Sequence, residues 1–143
     1  MKIDQISVFL ENKPGHSIEP VRLLARAGID IRTFSVADTR EFGILRMIVS
    51  DPESATDLLR KVGYVVNLTE VLAVEVTDRP GGLAGVLEVF ENTEINIEYL
   101  YAFPVRRGDK AVLIFRFDNP DAAIDRLQRA GINVVETLEV YQH

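Results

Sequence analysis

The residues best suited to hold a ligand lie in two short turns, Asn12 to Ser17 and Asp78 to Leu83. Each closes an alternating apolar stretch and opens a segment with apolar residues at helical spacing. Lys13-Pro14-Gly15-His16 and Arg79-Pro80-Gly81-Gly82 carry proline second and glycine third, the pattern of a type II turn. Gly15, Gly81 and Gly82 let a ligand approach the backbone closely. The start of the following helix leaves N–H groups unpaired beside a partial positive charge, a place for a carboxylate. Asn12 or Asp78, on the same turn, would accept a hydrogen bond from an ammonium group. Carboxylate at the amides and ammonium at the side chain together describe a free amino acid. A plain turn without a ligand explains the same residues. The two readings are compatible, because such a turn exposes its amides either way.

Other chemistry finds little to work with. Cysteine is absent, which excludes disulfides, thiolate zinc sites, iron–sulfur clusters and cysteine nucleophiles. His16 and His143 are the only histidines, and His143 ends the sequence, where fraying is expected. His16 would contact a ligand or stand as an ordinary loop histidine. No nucleophile elbow, phosphate-binding glycine loop or dinucleotide fingerprint occurs. The 22 acidic residues produce chance pairs without defining a dyad. The expectation is a protein that is not an enzyme, with no metal and no cofactor.

The elements that position these turns emerge when the chain is laid over itself. Asn12-Lys13-Pro14-Gly15 matches Asp78-Arg79-Pro80-Gly81, and Ile29-Asp30-Ile31 matches Ile95-Asn96-Ile97, both at an offset of 66. Asp51-Pro52-Glu53 matches Asn119-Pro120-Asp121, and Gly63 matches Gly131, at an offset of 68. Two residues are therefore inserted in the second copy, and the polar turn Arg106 to Asp109 would hold them. Within each copy Ile6, Val8, Leu10 and Leu72, Val74, Val76 alternate as half-buried strands. Ile18, Val21, Leu24, Ala25 and Leu83, Val86, Leu87, Phe90 follow at helical spacing. Ser17 as N-cap places Pro20 in the first turn, where its missing N–H costs nothing. Strands then begin at Ile29 and Ile95, and the odd-to-even switch of apolar phase from Ile31 to Phe34 predicts a bulge near Thr33. Third strands run through Leu45, Met47, Val49 and Leu113, Phe115, Phe117. Asp51-Pro52 and Asn119-Pro120 start second helices, which Gly63 and Gly131 end. Last strands are expected around Val65 to Asn67 and Asn133 to Val140. The fold class is α+β: two ferredoxin-like βαββαβ units, residues 1–70 and 71–143, with antiparallel sheets and helices on one face.

Composition sets the surroundings. The chain has 143 residues, 47% of them apolar, and 16 basic against 22 acidic residues give a net charge of −6. That balance argues against nucleic acid or an anionic membrane as partner. No apolar run reaches the length of a membrane span or signal core, so a cytoplasmic protein is expected.

The strand, Asn/Asp-x-Pro-Gly-x-Leu turn, amphipathic helix and Ile-Asn-Ile strand opening resemble the ACT domain. Asp78-Arg79-Pro80-Gly81-Gly82-Leu83 with Ile95-Asn96-Ile97 matches the pattern. The first copy departs from it, with His16 and Ser17 in place of Gly82 and Leu83, and Asp30 in place of Asn96. The resemblance covers essentially the whole chain as a tandem pair without an attached enzyme domain. It implies a regulatory module for a small ligand, usually an amino acid, held between the strand-to-helix loop of one unit and the second strand of its neighbour. On that pattern the ligand-binding residues are Asn12, Gly15, His16, Ser17, Asp30 and Ile31 in the first copy. In the second they are Asp78, Gly81, Gly82, Leu83, Asn96 and Ile97. An unidentified enzyme or other protein would receive the signal.

Tyr99, Tyr101 and Phe103 alternate while Leu100 and Ala102 fill the other phase, so both faces of that strand are apolar. Packing between repeats or subunits accounts for this better than ligand stacking, and a homodimer is expected. Phe42-Gly43-Ile44-Leu45 would wall a pocket or pack in the core. An RNA-binding βαββαβ module shares the element order, but the third strand Asp109 to Phe115 lacks the basic-glycine-aromatic signature. A partner-docking or oligomerisation protein that binds no ligand is the other alternative.

Overall fold

The computed structural model describes residues 1–11, 13–38 and 42–142. The elements run β1 (Lys2–Glu11), α1 (Ile18–Arg26), β2 (Ile31–Asp38), β3 (Phe42–Val49), α2 (Pro52–Val62), β4 (Val65–Thr77), α3 (Gly82–Glu88), β5 (Ile97–Arg107), β6 (Lys110–Phe117), α4 (Pro120–Arg129) and α5 (Thr137–Gln142). They divide into two compact units. The N-terminal unit holds Asp4–Thr69 and the end of the chain from Tyr141; the C-terminal unit holds Glu70–Val140 and Met1–Ile3.

In the N-terminal unit β3 pairs antiparallel with both β1 and β2, and β4 is the other neighbour of β1. Ile6, Val8 and Leu10 of β1 and Leu45, Met47 and Val49 of β3 point to one face, where Leu24 of α1 and Ala55 and Leu59 of α2 cover them. The C-terminal unit repeats this with β6 paired antiparallel to β4 and β5. Its core holds Leu72, Val74, Val76, Phe90, Phe115, Phe117, Ala123 and Leu127, position for position at the two offsets. Phe90 and Phe117 stand 4.8 Å apart between ring centroids, so aromatic packing replaces the Leu24–Val49 pair of the first copy. Both units are thus α+β with the helices on one sheet face.

Local chemistry explains the boundaries. Asp51 and Asn119 each accept a hydrogen bond at 3.2 Å, from the Ser54 and Ala122 N–H groups respectively, with proline following as the first helical residue. Gly63 and Gly131 follow these helices at φ +107° and +74°, a conformation that only glycine adopts freely. Ser17 does stand before α1, yet its side chain makes no capping bond; the Gly15 carbonyl accepts the Ile18 N–H at 3.3 Å instead.

The predicted bulge lies between Ile31 and Thr33, with Arg32 as the extra residue, and the second copy repeats it at Glu98 between Ile97 and Tyr99. The two-residue insertion is not in the turn. Phe103 pairs with Val112 and Arg106 with Ala111, so Pro104 and Val105 are the additional residues, a second irregularity within β5. The second strands start at Ile31 and Ile97, two residues later than Ile29 and Ile95.

The last strand of the second copy differs from expectation. Only Val134 bridges Val74, with Glu75 N–H donating to the Asn133 carbonyl at 3.0 Å and Val135 N–H to the Ala73 carbonyl at 2.8 Å. The segment then meets the chain's own start. Thr137 Oγ1 accepts from the Met1 ammonium and donates to the Lys2 carbonyl, both at 2.9 Å. With that edge taken, residues from Thr137 turn into the short helix α5.

On the sheet face of the C-terminal unit away from α3 and α4, Phe103, Val112 and Ile114 are buried, while Tyr99 and Tyr101 are half-buried. Arg107 binds Glu75 at 3.1 Å and also Glu139 of α5, which anchors that helix to this face.

Candidate functional site

Both loops are type II turns. His16 N–H donates to the Lys13 carbonyl at 3.2 Å across Pro14 and Gly15, whose φ is +77°. Gly82 N–H donates to the Arg79 carbonyl at 2.9 Å across Pro80 and Gly81, whose φ of +86° and ψ of −9° are the turn's left-handed corner. Gly82 is required for another reason: a Cβ there would lie 1.8 Å from the Thr77 carbonyl oxygen. The first copy accommodates His16 at that position, and its helix begins later, at Ile18 rather than Gly82.

Beside each turn lies a cavity built from corresponding positions. The C-terminal one, about 440 Å³, is lined by the turn, by Glu75 and Thr77 of β4, by Lys110 of β6, and by residues 131–133 after α4. The N-terminal one, about 340 Å³, is lined by Phe9 to Glu11, the turn with His16, Glu19 of α1, and residues 63–65 after α2. In the latter, burial first, then a hydrogen bond to Glu19 and that carboxylate's charge, push the Tyr64 phenol up to about 12. His16 Nδ1 donates to the Lys13 carbonyl at 2.7 Å, and its Nε2 is buried with no hydrogen-bond partner among the described residues.

The residues singled out by sequence fall into two groups in each unit. Gly15, His16, Ser17 and Gly81, Gly82, Leu83 are on the turns, but Leu83 is exposed and is not part of the cavity wall. Asp78 stands beside its turn with the carboxylate 3.2 Å from Arg106 Nη2. Asp30, Ile31, Asn96 and Ile97 are elsewhere. Thr77 pairs with Lys110 at one end of β6, and Ile97 with Phe117 at the other, seven residues or about 23 Å away. Glu11 with Phe42 and Ile31 with Val49 repeat the separation along β3. At the strand starts, Asp30 binds Arg32 at 2.9 Å and receives Ser50 N–H at its carbonyl, while Asn96 and Asp118 exchange equivalent bonds. Ile31 and Ile97 pack against the cores. Asn12 and His143 lie outside the described residues. Leu45 is core and Phe42 packs on Phe9, 6.3 Å between centroids, so this stretch packs rather than walls the cavity.

Sequence reasoning missed Glu75, Lys110 and Asn133 in one cavity and Glu19 and Tyr64 in the other. The repeat offsets align Tyr64 with Ile132 and Glu19 with Gly85, but these are unlike residues that no local pattern marks as cavity wall. No group of three or more metal-ligating side chains occurs among the described residues, and no helix among them is long and apolar enough to cross a membrane.

Residues 1–142 match the family model described as an ACT domain pair. The crystal structure of protein BT0572 from Bacteroides thetaiotaomicron superposes with a TM-score of 0.91 at 34% identity, covering 100% of this chain and 98% of that one. The ligand-free regulatory subunit of aspartate kinase from Thermus thermophilus gives 0.64 at 18% identity, with 89% and 91% covered. Aspartate kinase from Synechocystis gives 0.61 at 17% identity over 93% of this chain and 26% of its own. Comparison with curated protein sequences returns no match. The chain belongs to the ACT-domain-pair family.

Proposed function

We propose that this chain is a regulatory protein without catalysis of its own, which binds a free amino acid at its strand-to-helix turns and signals to a separate enzyme or protein. The observation that carries the reading is the recurrence, in both units, of a Pro-Gly type II turn beside a cavity at the same place in the fold. Volumes of about 340–440 Å³ suit a small molecule. Family membership and the fold shared with regulatory subunits of aspartate kinase support a regulatory role. The loop and strand-start residues of one unit are about 23 Å apart, longer than a free amino acid. A small ligand at a turn therefore does not touch the strand-start residues of the same unit. Self-association fits the same reading: Phe34 and Val36, 65% and 45% exposed, lie on the edge strand β2. Residues 1–70 and 71–143 would act as the two modules, in the cytoplasm.

A thermal-melt screen against the twenty amino acids and a few aromatic acids tests this. A ligand at 100 times its Kd adds ~2.7 kcal/mol, a shift on the order of 5–10 °C at this size. A flat screen would refute ligand binding and leave a docking role.

A further inference from the structure

We propose that the cavity of the C-terminal unit takes a small ligand of net negative charge, a dicarboxylate or a phosphate, whose anionic group is held by Lys110 and Arg79. This rests on the reading that the turns bind small molecules, and adds the charge of the ligand and the unit that holds it.

The two cavities are the same construction with different charges. At the matched positions Glu11 is replaced by Thr77 and Glu19 by Gly85, which removes two acids. Lys110 stands where the first copy has Phe42, which adds a cation. One acid is gained, Glu75 for Phe9, but it is already committed. Its Oε1 lies 3.1 Å from Arg107 Nε and accepts from Asn133 Nδ2 at 3.0 Å, and its side chain is only 12% exposed.

Lys110 and Arg79 have no such commitment. Lys110 Nζ reaches Thr77 Oγ1 at 3.4 Å, and neither cation has a carboxylate within 4.0 Å among the described residues. By contrast Lys13, which corresponds to Arg79, is paired with Glu11 at 3.2 Å. On a chain of net charge −6, two cations without acid partners on one cavity oppose the average field. Lys110 is half-buried, where a charge pair is screened less than at the surface. An anionic group beyond the α-carboxylate that every amino acid carries gains charge-assisted hydrogen bonds with these cations, which glycine and L-lysine cannot supply.

Calorimetric titration of the full chain with L-glutamate, L-aspartate and inorganic phosphate, beside glycine and L-lysine, tests the proposal. At least one anionic probe should bind, and its Kd should weaken by about tenfold or more in Lys110→Met. Arg79→Met, at an exposed turn position, should weaken it as well and keeps the test alive if the first variant does not fold. Lys61→Met, the same charge change on α2, should leave it unaltered. The two carboxylate probes against phosphate separate the possible sources. Anion binding indifferent to both cavity variants, or binding of glycine or lysine alone, overturns this inference and leaves the turns as ligand sites. No binding by any probe, together with a flat amino-acid melt screen, overturns both.

Discussion

Replacing Gly82 with alanine would place a methyl carbon 1.8 Å from the Thr77 carbonyl oxygen, with the Thr77 carbonyl carbon 2.9 Å away. Ordinary contact requires roughly 1.5 Å more, and the obstacle is backbone inside a strand-to-turn junction rather than a side chain that can rotate. Relief must move Gly82 away from Thr77, which strains the 2.9 Å turn bond to Arg79. Overpacking of this kind costs about 1–3 kcal/mol, and a weakened turn hydrogen bond adds about 1. Three residues on, Gly85 lies inside the same helix with nothing within 4 Å of an added Cβ and no positive φ. Alanine there should stabilise by about 0.5–1 kcal/mol through helix propensity. The same substitution thus has opposite signs within one turn of α3. Thermal melts should show Gly82→Ala several degrees below the parent and Gly85→Ala about 1–4 °C above it. A Gly82→Ala variant as stable as the parent would refute the close approach of Gly82 to β4, and a destabilised Gly85→Ala would refute the open space beside it.

Three further outcomes follow from particular side chains. Tyr64 is raised from 10.0 to about 12 in the folded chain, so its stabilising contribution is complete below pH 10 and fades as pH rises toward 12; Tyr64→Phe should remove that alkaline loss, measured by urea midpoints across the window. Asn119→Ala deletes the acceptor for Ala122 N–H and should cost about 1 kcal/mol, read from the melting temperature. Phe34→Asp, on the exposed edge of β2, should halve the mass seen by light scattering at micromolar concentration, whereas an unchanged mass would place self-association elsewhere.

Punctuation residues made the repeat legible. Asp51-Pro52 and Asn119-Pro120 act within one helical turn, and so do Pro14-Gly15 and Pro80-Gly81, because each fixes backbone geometry locally. The bulge at Arg32 showed as a switch of apolar phase, while its twin at Glu98 was masked by Leu100 and Tyr101 filling both phases. Val134, Leu138 and Val140 suit a strand or a helix equally. What decides is the arrival of Met1 and Lys2 at Thr137, a contact across 135 residues or more that no local pattern encodes. The turns of the candidate site were visible for the same local reasons. The far cavity walls were not, since Lys110 and Asn133 come from separate segments. Nor could the sequence show that Asp78 meets Arg106 across the neighbouring hairpin.

The most direct measurement is amide NMR on the isotope-labelled chain, titrated with whichever amino acid the melt screen selects. The account predicts saturable shifts at Gly81, Gly82 and the residues around the C-terminal cavity, or at Gly15 and His16 for the N-terminal one. Saturable shifts that leave both Pro-Gly turns untouched would contradict it.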